Sequence, residues 1–222
     1  RIEVLTADGQ RIERLILEAV RDSYFTFRGK DSNTSNDYRV HNWREMELNE
    51  YLYADGEVVK LWLYPRGPDS GFKVYPGTGS RYAYFDTTPT THALNSPCYI
   101  IRPHPPGTKL IPSGLPVFQV YYENDDESRR ELGTDSRLTF TAPADGQYLV
   151  RVVDTRGFQG EKFSYTLTVR PRRPATATHR QARTRTRRSS SDSTSKPPCR
   201  RALRTTSRSS RLSCKVSTSR PT

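Results

Sequence analysis

The sequence predicts an antiparallel all-β fold, and three observations carry that expectation. Short runs of alternating apolar and polar residues recur along the first 170 positions. Clusters of Gly, Pro and Asp separate them at intervals of about ten residues, the rhythm of a sandwich or barrel, not of an α/β enzyme. The alternation is cleanest between Thr134 and Arg170, and the composition breaks abruptly just beyond it.

Taken in order, Ile2, Val4 and Thr6 alternate before the turn Ala7-Asp8-Gly9. The run Leu15–Val20 follows, a short continuous apolar stretch that periodicity alone cannot assign to helix or strand. The turn and the β context favour two strands, read as the end of a preceding module or an N-terminal extension over residues 1–21. Tyr24, Phe25 and Phe27 are aromatic and β-prone, and Arg28–Asp37 is a polar loop. His41–Leu48 is a helical turn or a crossing loop. Tyr51 and Tyr53, the turn Ala54-Asp55-Gly56 and Val58–Tyr64 make a hairpin. Further strands are expected at Phe72–Tyr75, Arg81–Phe85, Cys98–Arg102 and Val117–Tyr122, with the rigid loop Pro103–Gly107 and the acidic loop Glu123–Glu127 between or after them.

Thr134–Arg170 reads as a three-stranded meander. Leu138 and Phe140 share one face, Pro143 and Ala144-Asp145-Gly146 make a turn, and Tyr148, Val150 and Val152 form the next buried row. Tyr165, Leu167 and Val169 form the last. The string Leu138–Val152, closed by Tyr165–Val169, resembles the C-terminal half of the bacterial pre-peptidase C-terminal (PPC) domain. The likeness extends more weakly back to Asp22-Ser-Tyr-Phe-Thr-Phe27, which resembles that domain's opening strand. It implies a jelly-roll-like β-sandwich over residues 22–171. It also implies an origin in a larger exported bacterial protein (periplasmic, cell-surface or secreted), of the kind found with proteases and large surface proteins.

The formal charge of +12 belongs to one end of the chain. Residues 171–222 hold 15 Lys and Arg against the single acid Asp192, and the remaining 21 basic and 23 acidic residues leave 1–170 at −2. A nucleic-acid reading of the bulk charge would be an artefact of averaging. Residues 172–222 are Arg, Ser, Thr and Pro with almost no apolar content, a composition expected to be disordered. Thirteen Arg against two Lys, with no aromatics interleaved for base stacking, suggests a frameshifted or artefactual terminus before a genuine basic arm. Cys98, Cys199 and Cys214 are too few and scattered for a disulfide framework, and Cys98 is expected to pack as a small hydrophobe. No apolar run approaches the roughly 20 residues of a membrane-spanning helix. The chain opens at Arg1 without Met or a signal peptide, and is read as a piece of a longer polypeptide.

Candidate chemistry is sparse. Asn124, Asp125, Asp126 and Asp135 offer oxygen ligands to calcium, which takes six to eight of them. Against that, the spacing is not an EF-hand, and Arg129 and Arg130 would offset the charge, so a solvated acidic loop is favoured. His41, His92, His104 and His179 lack metal-hydrolase spacing and read as surface or loop imidazoles. Gly77-Thr-Gly79-Ser80 lacks the Lys of a phosphate loop, and no G-x-S-x-G elbow occurs. The carboxylate pairs Glu45/Glu47 and Asp125/Asp126 carry no readable separation. Trp43, Trp62, Tyr75, Tyr82, Tyr84, Tyr121 and Tyr122 are candidate platforms for a polysaccharide or protein ligand, most of them expected to be core filler. The function expected is a non-catalytic binding or accessory module that assists secretion or maturation or contacts substrate, cell wall or partner. A peptidase fragment lacking its catalytic part, and nucleic-acid binding through the tail, stay open as alternatives.

Overall fold

The computed structural model describes residues 1–26, 35–67, 69–77, 80–160 and 163–171, and the backbone of 211–218. Thirteen strands are found among them: β1 Ile2–Thr6, β2 Glu13–Tyr24, β3 Asp37–Tyr38, β4 Tyr51–Ala54, β5 Glu57–Leu63, β6 Phe72–Val74, β7 Pro97–His104, β8 Val117–Tyr121, β9 Glu123–Asn124, β10 Arg137–Thr141, β11 Tyr148–Val152, β12 Tyr165–Pro171 and β13 Arg211–Thr218. The helical content among the described residues is two short 3₁₀ turns, Trp43–Glu45 and Tyr84–Asp86. No helix among them is long and apolar enough to cross a membrane.

The fold is all-β and antiparallel, built as a sandwich-like stack of sheets. A seven-stranded sheet runs β3-β6-β5-β4-β7-β2-β8, and two three-stranded sheets run β11-β1-β9 and β10-β13-β12. Alternation along the central strands feeds two cores. Leu52, Val59, Leu61, Cys98 and Ile100 face one side with Phe25, Tyr38 and Phe72, whereas Val58, Ile101, Leu17 and Ala19 face the other with Tyr53 and Phe118. A third core lies between the two small sheets, where Ile2 and Val4 of β1 meet Leu138 and Phe140 of β10.

The Leu15–Val20 run is ambiguous by periodicity because it belongs to a twelve-residue strand buried on both faces. A register shift between Ala19 and Arg21 lets it change phase: Leu15, Leu17 and Ala19 pack on one core and Val20 on the other. The boundary expected at Asp22 therefore falls inside β2. Residues 1–21 are part of the fold, since β1 pairs with β11 and β9, and β2 lies between β7 and β8. The hairpin at Ala54-Asp55-Gly56 forms as expected, with positive φ at Asp55 and Gly56 (44° and 83°) matching the twist of β4 and β5.

Three further expectations are corrected. The meander is not one: β10 and β12 both pair with β13, and β11 pairs with β1. Ala144-Asp145-Gly146 thus crosses between sheets, and the Tyr148 hydroxyl donates to the Ala144 carbonyl at 2.7 Å to close it. The row Tyr148, Val150, Val152 is only half-buried to exposed, with Val150 at 36 %. Arg81–Phe85 is not a strand; a bridge from Arg81 to Pro76 precedes the second 3₁₀ turn, where Phe85 and Asp86 take positive φ. The expectation for 172–222 falls on residues outside the described ones, apart from the backbone of 211–218, which is described as β13.

Burial ranks the substitutions. Leu138, fully buried, should lose about 2–5 kcal/mol on change to Ala. Val150→Asp should cost less than that, because water still reaches the site. Urea unfolding of the two variants checks the order, and a reversed order would contradict the face assignment of β10 and β11.

Candidate functional site

The most heavily charged part of the core is closed to solvent. Glu57 opens β5, where a residue on this face has no access to water, and its carboxylate is 1 % exposed in the salt bridge with Arg81, at 0 %. Five donors converge on it. Arg81 Nε and Nη2 reach Oε1 and Oε2 at 2.5 and 3.0 Å, the Tyr38 hydroxyl donates at 3.1 Å, and the Thr90 amide donates at 3.3 Å. His92 Nε2 lies 2.8 Å from Oε2. An ionised carboxylate only accepts, so that nitrogen carries the proton. The His92 ring stacks on Phe25 with centroids 5.1 Å apart, and its Nδ1 has no partner among the described residues. Arg81 also donates to the carbonyls of Ser35 and Thr90.

Burial by itself would raise the Glu57 pKa. The hydrogen bonds from His92 and Arg81, with the charge of Arg81, outweigh it and hold the carboxyl below the ordinary glutamate range. Burial and the Glu57 charge together push the Tyr38 phenol well up. His92, expected at the surface, is thus a core residue at 3 % exposure. The composition near it is no guide, because the ring is buried by contacts with Phe25 and Glu57, far away in sequence. Among the described residues this cluster is closed to solvent, and it reads as a structural lock. Cys98 is also buried, as expected, and its thiol is pushed up to about 12 by burial, which leaves it inert.

The proposed calcium residues lie together in and around the β9 loop, but their side chains do different things. Asn124 is buried and fully occupied: Nδ2 donates to the carbonyls of Asp86 and Asp126 at 2.9 and 2.8 Å, and Oδ1 accepts from the Arg137 amide at 2.9 Å. Asp86 in turn accepts from the Thr139 amide at 3.0 Å and pairs with Arg14 at 2.8 Å. These bonds join the second 3₁₀ turn to β9 and β10. Asp125 Oδ1 faces the amino group of Arg1 at 3.2 Å. Burial and the neighbouring Asp125 raise the Asp126 pKa, the opposite of what an ion-paired carboxylate shows. Asp135 exchanges backbone bonds with Leu132 and Glu127. Among the described residues no three His, Cys, Asp or Glu side chains converge as a metal group. Beside this loop lies a polar depression of about 360 Å³ lined by Tyr53, Asp55, Thr88, Gln119, Tyr121 and Asp125.

Of the candidate platforms, none is fully exposed. Tyr122 packs edge-on against Phe140, Tyr84 against Tyr51, and Arg11 and Arg129 lie over Tyr121 and Tyr82. Tyr75 donates to Asn49 at 2.8 Å. Tyr121 borders the 360 Å³ depression beside the β9 loop, and the two tryptophans border two further open clefts. A groove of about 750 Å³ runs between the Trp43 turn and the 65–71 loop, with Arg39, His41, Arg44 and Arg66 on its walls. A second depression of about 450 Å³ carries Trp62, Tyr64 and Lys73, and shares Arg66, Ser70 and Gly71 with the first. The loop between them is held by Ser70, whose Oγ accepts from the amides of Arg66 and Gly67 at 2.7 and 3.0 Å.

Two glycines let these walls form. A Cβ on Gly71 would lie 2.3 Å from the Tyr38 carbonyl, and one on Gly77, at φ +83°, would lie 2.1 Å from the Trp62 ring. The exposed pairs Glu45/Glu47 show no opposed catalytic arrangement: Glu45 accepts from Asn42 at 3.1 Å, and the Glu47 amide donates to Glu50 at 2.8 Å. His41 is exposed and stacked on Tyr24 at 4.7 Å, and His104 meets Glu18 at 2.8 Å. His179 and Cys199 lie outside the described residues. The seven sequence candidates include both groove tryptophans, but the arginines that accompany them come from separate segments and carry no motif. No family model, curated protein or solved structure matches the chain.

The core lock has a pH signature. The folded Glu57 pKa lies below its unfolded value, so its contribution is fully present above the unfolded pKa. It is lost as pH falls through the folded one. Glu57→Gln should therefore flatten the acid limb of a stability–pH curve. Arg81→Ala, which leaves the carboxylate buried without its main partner, should cost about 3–5 kcal/mol in denaturant unfolding at neutral pH. An unchanged midpoint in Arg81→Ala would refute the lock.

Proposed function

We propose that this chain is a non-catalytic binding module of a larger exported bacterial protein. It presents the surface around the 65–71 loop to a ligand. The observation that carries this reading is the division of labour among polar groups. Four titratable side chains of the core, Glu57, Arg81, His92 and Tyr38, bond to one another and are closed to solvent. The two tryptophans, by contrast, line open grooves with cations beside them. A hydrolase needs a nucleophile or metal next to a base within reach of substrate. A binding surface needs aromatic contact area and directed charge, and it can be shallow. The resemblance of Leu138–Val152 and Tyr165–Val169 to PPC domains supports the exported, accessory setting.

The chain should be retarded by an immobilised glycan or protein ligand in affinity electrophoresis, and Trp43→Ala combined with Trp62→Ala should remove the retardation. It should release no product from peptide or glycoside substrates. Reproducible turnover that disappears on changing a single Asp, Glu, His or Ser would overturn the reading.

A further inference from the structure

Resting on that reading of the chain as a binding module, we propose that the groove beside Trp43 takes an acidic polysaccharide, a glycan with carboxylates on its sugar rings. Arg44 and Arg66 select its charge. Three arginines line this groove from three separate segments: Arg39 after β3, Arg44 in the first 3₁₀ turn and Arg66 in the 65–71 loop. Arg39 is answered by Asp69 at 3.6 Å. Among the described residues Arg44 and Arg66 have no carboxylate within ion-pair distance; the Arg44 guanidinium lies 4.8 Å from the Trp43 ring centroid. The acid nearest in sequence, Glu45, is engaged by Asn42. Exposed arginines without a carboxylate partner among the described residues, lining one cleft, match the planar fork of a carboxylate.

The aromatic groups favour a sugar over a nucleic acid. Stacking of bases needs free ring faces. Here His41 spends one face on Tyr24, with centroids 4.7 Å apart and the planes at 13°, and Trp43 has one face under Arg44. What remains is a partly buried apolar wall with polar edges, suited to sugar C–H groups and hydroxyls. The field is also local. Residues 1–170 carry a net charge of −2, so the arginines of the groove are not part of a bulk positive excess in this stretch of the chain.

The test uses the full chain at about 0.15 M salt, with isothermal titration and Trp fluorescence as readouts. The probes are an oligogalacturonate, its fully methyl-esterified counterpart and an oligothymidylate. The oligogalacturonate should bind, and the ester, with the same rings but no charge, should bind at least about tenfold more weakly. R44Q combined with R66Q should lose a similar factor, on the scale of one charge-assisted hydrogen bond. Both residues are exposed, and an unchanged melting temperature would confirm that the double variant is folded.

Equal affinity for acid and ester would overturn the charge selection while leaving a binding module in place. Equal affinity of R44Q/R66Q and the parent chain would assign the binding to the basic residues of 171–222, and would overturn the inference. Tighter, Arg44-dependent binding of the oligothymidylate would replace the glycan with a nucleic acid. Absence of binding to every probe would also overturn the inference. The binding-module reading would then be judged by the tryptophan-dependent retardation alone.

Discussion

One buried carboxylate, Glu57, organises a large part of this molecule. Among the described residues between β6 and β7, regular structure amounts to bridge residues at Pro76, Arg81 and His92 and one 3₁₀ turn. Yet Arg81, Ala83, Thr87 and His92 are buried there. Few ladder bonds hold this stretch to the sheet. Hydrogen bonds from Arg81, Thr90 and His92 to Glu57 hold it, together with the Val58 amide donating to Thr87 at 3.1 Å. A buried ion pair is weak evidence for net stability, since desolvation offsets much of the attraction. Its value here lies in geometry: five donors with fixed directions accept few alternative arrangements.

The same carboxylate reaches the surface indirectly. Tyr38 donates to Glu57, the Tyr38 carbonyl abuts Gly71, and Asp37 Oδ1 accepts the Gly71 amide at 2.9 Å. The 65–71 loop that divides the two tryptophan grooves is thereby anchored to the core lock. Rigid support of this kind is what a recognition surface needs if ordering costs are to stay low on binding. Asn124 and Asp86 play a comparable part elsewhere. Their side chains bracket the second 3₁₀ turn, β9 and β10, satisfying backbone groups there.

Local patterns specify what local physics controls. The all-β class, the hairpin at Ala54-Asp55-Gly56, the burial of Leu138 and Phe140 and the packing of Cys98 were all legible from alternation and turn chemistry. So was the candidacy of Trp43 and Trp62, because large rings with a polar edge are recognisable in any context. Strand partners were not legible. The run from Leu138 to Val169 reads as three neighbouring strands, but β11 joins β1, some 145 residues away in sequence, and the Ala144-Asp145-Gly146 turn crosses between sheets. Period two defines which face a residue takes, and says nothing about which strand lies beside it.

The polar residues show the same division. His92 and Arg81 have unremarkable sequence surroundings, and their roles were decided by Glu57, Phe25 and Tyr38 arriving from other strands. Asn124 is a candidate ligand by its amide oxygen, and the fold surrounds its side chain with three backbone groups that the sequence does not reveal. The groove arginines are ordinary surface residues until three chain segments bring them to one cleft. The sequence by itself determined the class of fold and which residues prefer a buried face. Tertiary structure alone decided strand pairing, the fate of each polar side chain and the shape of the groove, because these depend on contacts between residues whose separation along the chain leaves no periodic trace.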